Sequence, residues 1–244
     1  MLYCSLMLSI IIPVKNEEQL IKNSIDLLLN EIKNIKFEII IIDDFSDDGT
    51  AEVIKEIIKN NDKVKFFKNN QEGLGPLINL GIEKSNGDYV CIMMSDLSDD
   101  VQDLKVYYEK INSEDLDAIL GSRFIKGSNI FDYPIIKLIL NRIFNYFVKI
   151  LFLSKYNDFT NAFKIYKKST LIKLKPFVSE SFNIFLELPL KLISRGYKYE
   201  VIPIKWTNRK KGKSKFKIKE LGAKYIFTLI YCLSEKVLLK KQNK

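Results

Sequence analysis

An α/β fold with a mainly parallel sheet is predicted by three features of this chain. Apolar, β-branched runs alternate with stretches of helical period through the first half of the sequence. The runs are hydrophobic at successive positions, as strands covered by helices on both faces must be. Several of them end in acidic or glycine-containing turns, the punctuation expected where a strand gives way to a helix in a βαβ unit.

LSIIIPV (Leu8 to Val14) is the first such run, and Glu17 to Ile32 follows with Leu20, Ile21, Ile25, Leu28, Leu29 and Ile32 near a helical period. FEIIIIDD (Phe37 to Asp44) is a second buried strand ending in acids, and Thr50 to Ile58 reads as a helix. KVKFFKN is a third strand, GLGPLINLGIEKS a glycine-led helix, Tyr89 to Met94 a fourth strand and Asp117 to Gly121 a fifth. In open α/β sheets ligands collect at the carboxyl ends of the strands. The acids sit there: Asp43 and Asp44 after the second run, Asp96 after the fourth, and PVKNE after the first.

The second half is less regular. Phe131 to Leu153 is a long amphipathic stretch, Asn157 to Tyr166 a loop leading into a strand, and Ser181 to Ser194 a helix. Tyr199 to Trp206 alternates like a strand, with Pro203 marking an edge. A basic segment, NRKKGKSKFKIKE, precedes a final amphipathic helix with a charged tail.

Composition narrows the chemistry. At 244 residues and 47% hydrophobic content the chain can bury a sizeable core. Three scattered cysteines, Cys4, Cys91 and Cys232, do not form a disulfide framework and fit a reducing compartment. With no histidine, acid/base or metal chemistry falls to Asp, Glu, Lys, Tyr or backbone groups. Charge is unevenly distributed: residues 1–120 carry 12 Lys+Arg against 23 Asp+Glu, and the remainder carries 27 against 7. The basic half is suited to phosphates, acidic membrane surfaces or nucleic acid, although no nucleic-acid recognition motif accompanies it. The N-terminus lacks the charged n-region and small-residue cleavage site of a secretory signal. The apolar run Tyr225 to Leu233 is far shorter than the roughly 20 residues that span a bilayer. A cytoplasmic protein, peripheral on a membrane face, is expected.

In order along the chain, PVKNE (13–17), IDDFSDDGT (42–50), NNQEGLGPLINLGIEKSNGDYV (69–90), SDL (95–97), DAILGSRF (117–124), DFTNAFKIY (158–166), FLELPLK (185–191) and EVIPIKWTNRKKGKSKF (200–216) resemble the motifs of inverting family 2 glycosyltransferases of the GT-A fold. Within that family the similarity is to polyprenol-phosphate (dolichol-phosphate) sugar synthases. The resemblance implies a catalytic domain over 1–216, with a nucleotide-sugar half (about 1–125) and an acceptor half (about 126–216). Residues 217–244 would then form an amphipathic C-terminal helix and basic tail.

It also implies nucleotide contacts from Pro13, Lys15, Glu17, Ile42 and Asp44, with Ser95, Asp96 and Ser98 completing the donor site. Gly73 and Gly75 suit a tight turn into a helix whose N–H groups face that site. The family's metal motif, Asp-x-Asp, falls on Met94, Ser95 and Asp96, so its first aspartate is missing. A thioether is a poor ligand for Mg²⁺ or Mn²⁺, which take oxygen donors. Asp96 is the expected main ligand, with Ser98, Asp99 or Asp100 as further candidates; capping of the next helix is the other reading of Asp99 and Asp100. Arg209, Gly212, Ser214 and Lys215 match a loop that closes over the diphosphate in the family, and Arg123 is a third expected phosphate contact.

Transfer to a lipid phosphate needs no general base, because that nucleophile is already anionic; it needs cations to bring two anions together. The leading expectation is therefore a hexosyltransferase moving mannose or glucose from a GDP- or UDP-sugar to a polyprenyl phosphate. The alternatives are transfer to a glycan hydroxyl, with Glu187 or Asp158 as base, and a degenerate nucleotide-sugar-binding protein. The stretch 131–153 could pack on the core, lie on a membrane or form a dimer seam, so the oligomeric state stays open.

Overall fold

The computed structural model describes residues 6–209 and 218–242. β1 (Leu8–Val14), β2 (Phe37–Asp43), β3 (Val64–Lys68), β4 (Tyr89–Ile92), β5 (Ala118–Ser122), β7 (Lys164–Lys167) and β8 (Tyr199–Pro203) form one sheet in the order β3-β2-β1-β4-β7-β5-β8. All neighbours are parallel except β7, which runs antiparallel to both β4 and β5. β6 (Asn129–Phe131) and β9 (Lys205–Thr207) make a separate parallel pair.

The polyisoleucine strands explain the layering. Alternate residues of a strand point to opposite faces. Ile10, Ile12 and Val14 of β1, with Ile39 and Ile41 of β2, meet the apolar stripes of α1 (Ile21–Glu31), α2 (Thr50–Lys59) and α4 (Val101–Ser113). Ile11, Ile40 and Ile42 meet α3 (Leu74–Lys84) on the other face. There α6 (Lys168–Leu174), α7 (Ile184–Ser194) and α8 (Ile218–Gln242) extend the second core. α5 (Ile135–Leu151) joins it through Val148 alone among its fully buried apolar residues. A Cβ on Gly81 of α3 would lie 2.7 Å from the Ile11 side chain, so glycine there lets the helix settle close to the sheet.

β1 lies between β2 and β4, so the chain leaves it in one direction first and the other later. That arrangement is a topological switch point, where the loops after β1, β2 and β4 open a crevice. Each of these loops contains a non-glycine residue in the left-handed region: Asn16, Phe45 and Leu97, with φ of 54°, 58° and 56°. Such conformations are uncommon and need support from their surroundings.

The expected elements and the observed ones differ in instructive places. The helix expected from Glu17 starts at Ile21, because residues 16–20 belong to the crevice: the Glu17 N–H donates to Thr50 Oγ1 at 2.8 Å. Tyr199–Trp206 divides at Ile204, with β8 on the sheet edge and β9 crossing to β6. The two halves anticipated from the motifs share one continuous sheet, since β7 and β8 flank β5.

Candidate active site at the carboxyl ends of the strands

The crevice is built first by backbone and carboxylate contacts. Asp44, directly after β2, accepts from Asn69 Nδ2 at 2.8 Å and from the Gly73 N–H at 2.9 Å, tying the β3–α3 turn to the β2 end. Gly73 has φ of 122°, and a Cβ on Gly75 would lie 1.6 Å from the Ser179 carbonyl oxygen. Both positions require glycine, one for conformation and one for close backbone approach. Asn16 joins the first loop to the second: its Nδ2 donates to Asp47 Oδ1 at 2.6 Å and its Oδ1 accepts from the Asp47 N–H at 3.0 Å. Lys15 pairs with Glu72 at the rim, and that hydrogen bond raises the lysine above its ordinary pKa.

Three charged groups face one another at the mouth. Arg209 lies just past β9; one of its Nη atoms is 3.2 Å from Glu17 Oε1, and its Nε is 3.2 Å from Asp96 Oδ2. The left-handed Leu97 turns the chain so that the Ser98 N–H returns to Asp96 Oδ1 at 3.1 Å. The approach of Arg209 is guided by its own segment. The Thr207 N–H donates to the Ser98 carbonyl at 2.9 Å, and Trp206 forms an isolated bridge with Asp99. The sequence predicted Glu17, Asp96, Ser98 and Arg209 as site residues, and the structure brings them together.

Other expected site residues lie elsewhere. Ile42 is fully buried against Leu77 and Ile78, so its side chain belongs to the core and only its backbone lines the strand end. Pro13 is a buried β1 residue in register with Ile42. Ser95 is buried, and its carbonyl accepts from Ser24 Oγ at 2.5 Å. Asp100 is the N-cap of α4, accepting from the Gln102 N–H at 2.9 Å, and its carboxylate sits 3.6 Å from Lys205. Lys215, Gly212 and Ser214 lie outside the described residues.

Arg123 was expected on the diphosphate, but its guanidinium is committed to a buried ion pair. Nε and an Nη donate to the two carboxylate oxygens of Asp158 at 2.8 and 2.7 Å, and the Arg123 backbone N–H adds a third bond at 2.9 Å. Phe124, Tyr133 and Trp206 surround the guanidinium, with ring centroids 5.2, 5.6 and 5.4 Å away. Although burial works against the charged form, the Asp158 carboxylate raises Arg123 above its ordinary pKa.

Both candidate bases are sealed in the interior. Asp158 is fully buried in that pair. Glu187 is also fully buried; it accepts from the Val178 and Ser179 N–H groups and pairs with Lys191 at 3.1 Å. The acid expected to face an acceptor hydroxyl instead holds the segment that abuts Gly73 and Gly75.

Two buried ionisable groups lie beneath the turn. Asp99 is 6% exposed and its Oδ1 has no hydrogen-bond partner among the described residues; burial first, and then the nearby charge of Asp96, pushes its pKa up to about 8. Lys164, opposite Ile92 in the sheet, is pushed down to about 7, chiefly by burial. Its Nζ is bonded to the backbone carbonyls of Phe159, Asn161 and Phe185. No sequence pattern singled out Lys164; its role depends on β7 inserting between β4 and β5.

The donor set for a divalent cation is thin. Asp96 offers one carboxylate at the mouth, already beside Arg209, while Met94 supplies a thioether where the resemblance expects an aspartate. Among the described residues no group of three or more His, Cys, Asp or Glu is arranged to hold a metal ion. These residues do not by themselves form the oxygen-rich shell that Mg²⁺ or Mn²⁺ requires.

A mixed, mostly parallel sheet with an acidic, amide-lined switch point and an arginine delivered from the C-terminal side is the architecture of a GT-A glycosyltransferase. The chain belongs to glycosyl transferase family 2, whose model matches residues 9–175. It is 24% identical over 218 residues to the dolichol-phosphate mannosyltransferase of Pyrococcus furiosus, covering 87% of this chain and 60% of that protein. It is 25% identical over 215 residues to the polyprenol monophosphomannose synthase of Mycolicibacterium smegmatis, covering 84% and 79%. Glycosyltransferase AglD of Haloferax volcanii is 23% identical over 204 residues, 81% of this chain and 32% of that protein. The chain thus spans a third of one of these relatives and three-fifths of another. In fold it is similar to glucosyl-3-phosphoglycerate synthase from Mycobacterium tuberculosis in complex with Mn²⁺, UDP and phosphoglyceric acid. That match has a TM-score of 0.72 at 16% identity and covers 93% of this chain and 78% of that one.

Proposed function

We propose that the protein transfers a hexose, mannose or glucose, from a GDP- or UDP-sugar to a polyprenyl phosphate at a membrane surface, with inversion. The observation that carries this reading is the placement of charge. The two acids that the family resemblance offers as bases for a hydroxyl acceptor, Asp158 and Glu187, are buried and paired, whereas at the mouth an arginine holds the carboxylates of Glu17 and Asp96. An anionic acceptor needs the second and not the first.

In the reaction an oxygen of the acceptor phosphate attacks the anomeric carbon from the face opposite the nucleotide. The bond from that carbon to the β-phosphate oxygen breaks, and its electron pair leaves with the nucleoside diphosphate. No proton has to be removed from the nucleophile. Arg209 and Lys15 are the cations at the rim that offset the charge developing on the leaving group. Asp44, Asn69 and Gly73 give the strand-end pocket a fixed set of donors and acceptors for the base and ribose.

Two further features support a lipid acceptor. α5 leaves a long apolar face uncovered, with Ile136 and Ile143 exposed at 71% and 62%, and α8 adds Ile226, Phe227 and Ile230. Phe144 and Tyr225 touch at 5.6 Å, so the two helices present neighbouring surfaces. No helix among the described residues is long and apolar enough to cross a membrane. Basic residues interspersed among apolar ones suit an interfacial helix on an acidic bilayer, such as the anionic cytoplasmic leaflet. Incubating the protein with GDP- and UDP-sugars, short polyprenyl phosphates and Mg²⁺ or Mn²⁺ tests the reading. A lipid-linked sugar is expected, and transfer to a glycan hydroxyl with none to lipid phosphate would overturn it.

A further inference from the structure

The residues at the turn after β4 and the cation expected there disagree, and the disagreement has a specific content. Asp96 is the single mouth carboxylate of that turn, because Asp100 caps α4 and Asp99 is buried beneath it. Met94 cannot replace an oxygen ligand. The positive charge beside Asp96 comes from the protein: Arg209 is 3.2 Å from Asp96 and equally close to Glu17. A divalent cation on Asp96 would find Glu17 as a second mouth carboxylate, with a guanidinium of like sign already in contact with both.

We propose that Arg209 is the resident counter-charge of the mouth, that the protein alone does not retain Mg²⁺ or Mn²⁺, and that a cation is admitted only together with a nucleoside diphosphate. This rests on the nucleotide-sugar reading above. A diphosphate supplies the oxygen ligands that Met94 does not, and it competes with Asp96 and Glu17 for the arginine, since guanidinium groups bind phosphate oxygens in a bidentate way. Arg209 then changes partners, and Asp96 is released for the cation that arrives with the nucleotide. The root of the arginine segment is fixed by Thr207 on Ser98 and by the Trp206–Asp99 bridge, so the exchange needs only the side chain and its immediate backbone to move.

Mn²⁺ titration followed by the free-ion electron paramagnetic resonance signal tests this, with calorimetry of UDP and GDP binding alongside. Wild-type protein alone should show no saturable uptake, and adding the nucleotide that binds should produce one bound Mn²⁺ beyond that held by nucleotide in buffer. Met94→Asp should take up Mn²⁺ without nucleotide at least tenfold more tightly than wild type. Arg209→Gln, at a side chain outside both hydrophobic cores, should shift affinity the same way. Saturable Mn²⁺ binding by nucleotide-free wild type, lost in Asp96→Asn, overturns the proposal while leaving the donor reading intact. Wild-type affinity in both variants overturns it as well, as does nucleotide binding that never admits Mn²⁺. If neither UDP nor GDP binds under any condition, it is the donor reading that fails.

Discussion

Replacing Glu187 by glutamine separates a structural acid from a catalytic one. The carboxylate accepts from the Val178 N–H at 3.0 and 3.1 Å and from the Ser179 N–H at 2.8 Å, and it lies 3.1 Å from Lys191 Nζ, with both side chains fully buried. An amide turns one acceptor into a donor facing backbone N–H groups, and it leaves a buried ammonium without its main counter-charge. Removing one partner of a buried ion pair costs about 3–5 kcal/mol. Glu235, 4.0 Å from Lys191, moderates the loss and favours the lower end of that range. For a chain of this size each kcal/mol shifts Tm by about 2–4 °C, so Glu187→Gln should melt roughly 6–15 °C lower. Urea denaturation followed by the single tryptophan, Trp206, measures the change directly. Activity per folded molecule, assayed well below the melting range, should stay within a few-fold of wild type. The double variant Glu187→Gln, Lys191→Met should recover part of the stability, because an apolar pair replaces an unbalanced one. Unchanged stability together with a loss of activity of about a hundredfold or more, the size expected for a missing general base, would refute this reasoning.

Two other predictions concern Asp99, beneath the turn after β4, and the exposed face of α5. Asp99, with its pKa near 8 in the folded chain against an ordinary value of about 4, keeps its proton on folding where the unfolded chain has lost it. Stability should therefore fall as pH rises from about 4 to about 8, and Asp99→Asn should remove that decline, stabilising the protein by on the order of a few kcal/mol at pH 8 with little slope change below pH 4. Denaturation curves at pH 5 and pH 8 check it, and a wild-type and variant difference that does not grow with pH rules it out. On α5, Ile139→Glu with Ile143→Glu alters residues 51% and 62% exposed, so folding stability should be unaffected. Sedimentation with anionic vesicles should drop at least tenfold, since each inserted apolar side chain is worth about 1.5–3 kcal/mol. Undiminished vesicle binding, or a concentration-dependent dimer broken by the same substitutions, would assign that face to something other than lipid.

Much of the fold was legible because its strands are buried on both faces. Runs such as LSIIIPV and FEIIIIDD have one structural solution in a chain that alternates them with helices, and β1 and β2 occupy nearly those residues. The carboxyl-end acids were legible for the same reason, since parallel strands put their ends on one side. Boundaries failed where loop chemistry overrode periodicity: residues 16–20 continue a helical pattern but are held in the crevice by Asp47 and Thr50. The antiparallel insertion of β7 left no local trace, because a four-residue strand has the same pattern in either direction.

The chain's sequence by itself determined the layered α/β architecture, the family motifs and the absence of an aspartate at position 94, all of which depend on local pattern and residue identity. Tertiary structure decided which charges meet at the crevice and which are sealed in the interior. Arg123, Asp158 and Glu187 are polar residues in motifs, and nothing in their spacing distinguishes a ligand contact from a buried pair. Only packing, which withdraws two acids from water and carries Arg209 across from β9 to Glu17 and Asp96, assigns each charge its partner. The physical reason is that a carboxylate or guanidinium is defined by what neutralises it, and those partners lie far away in sequence.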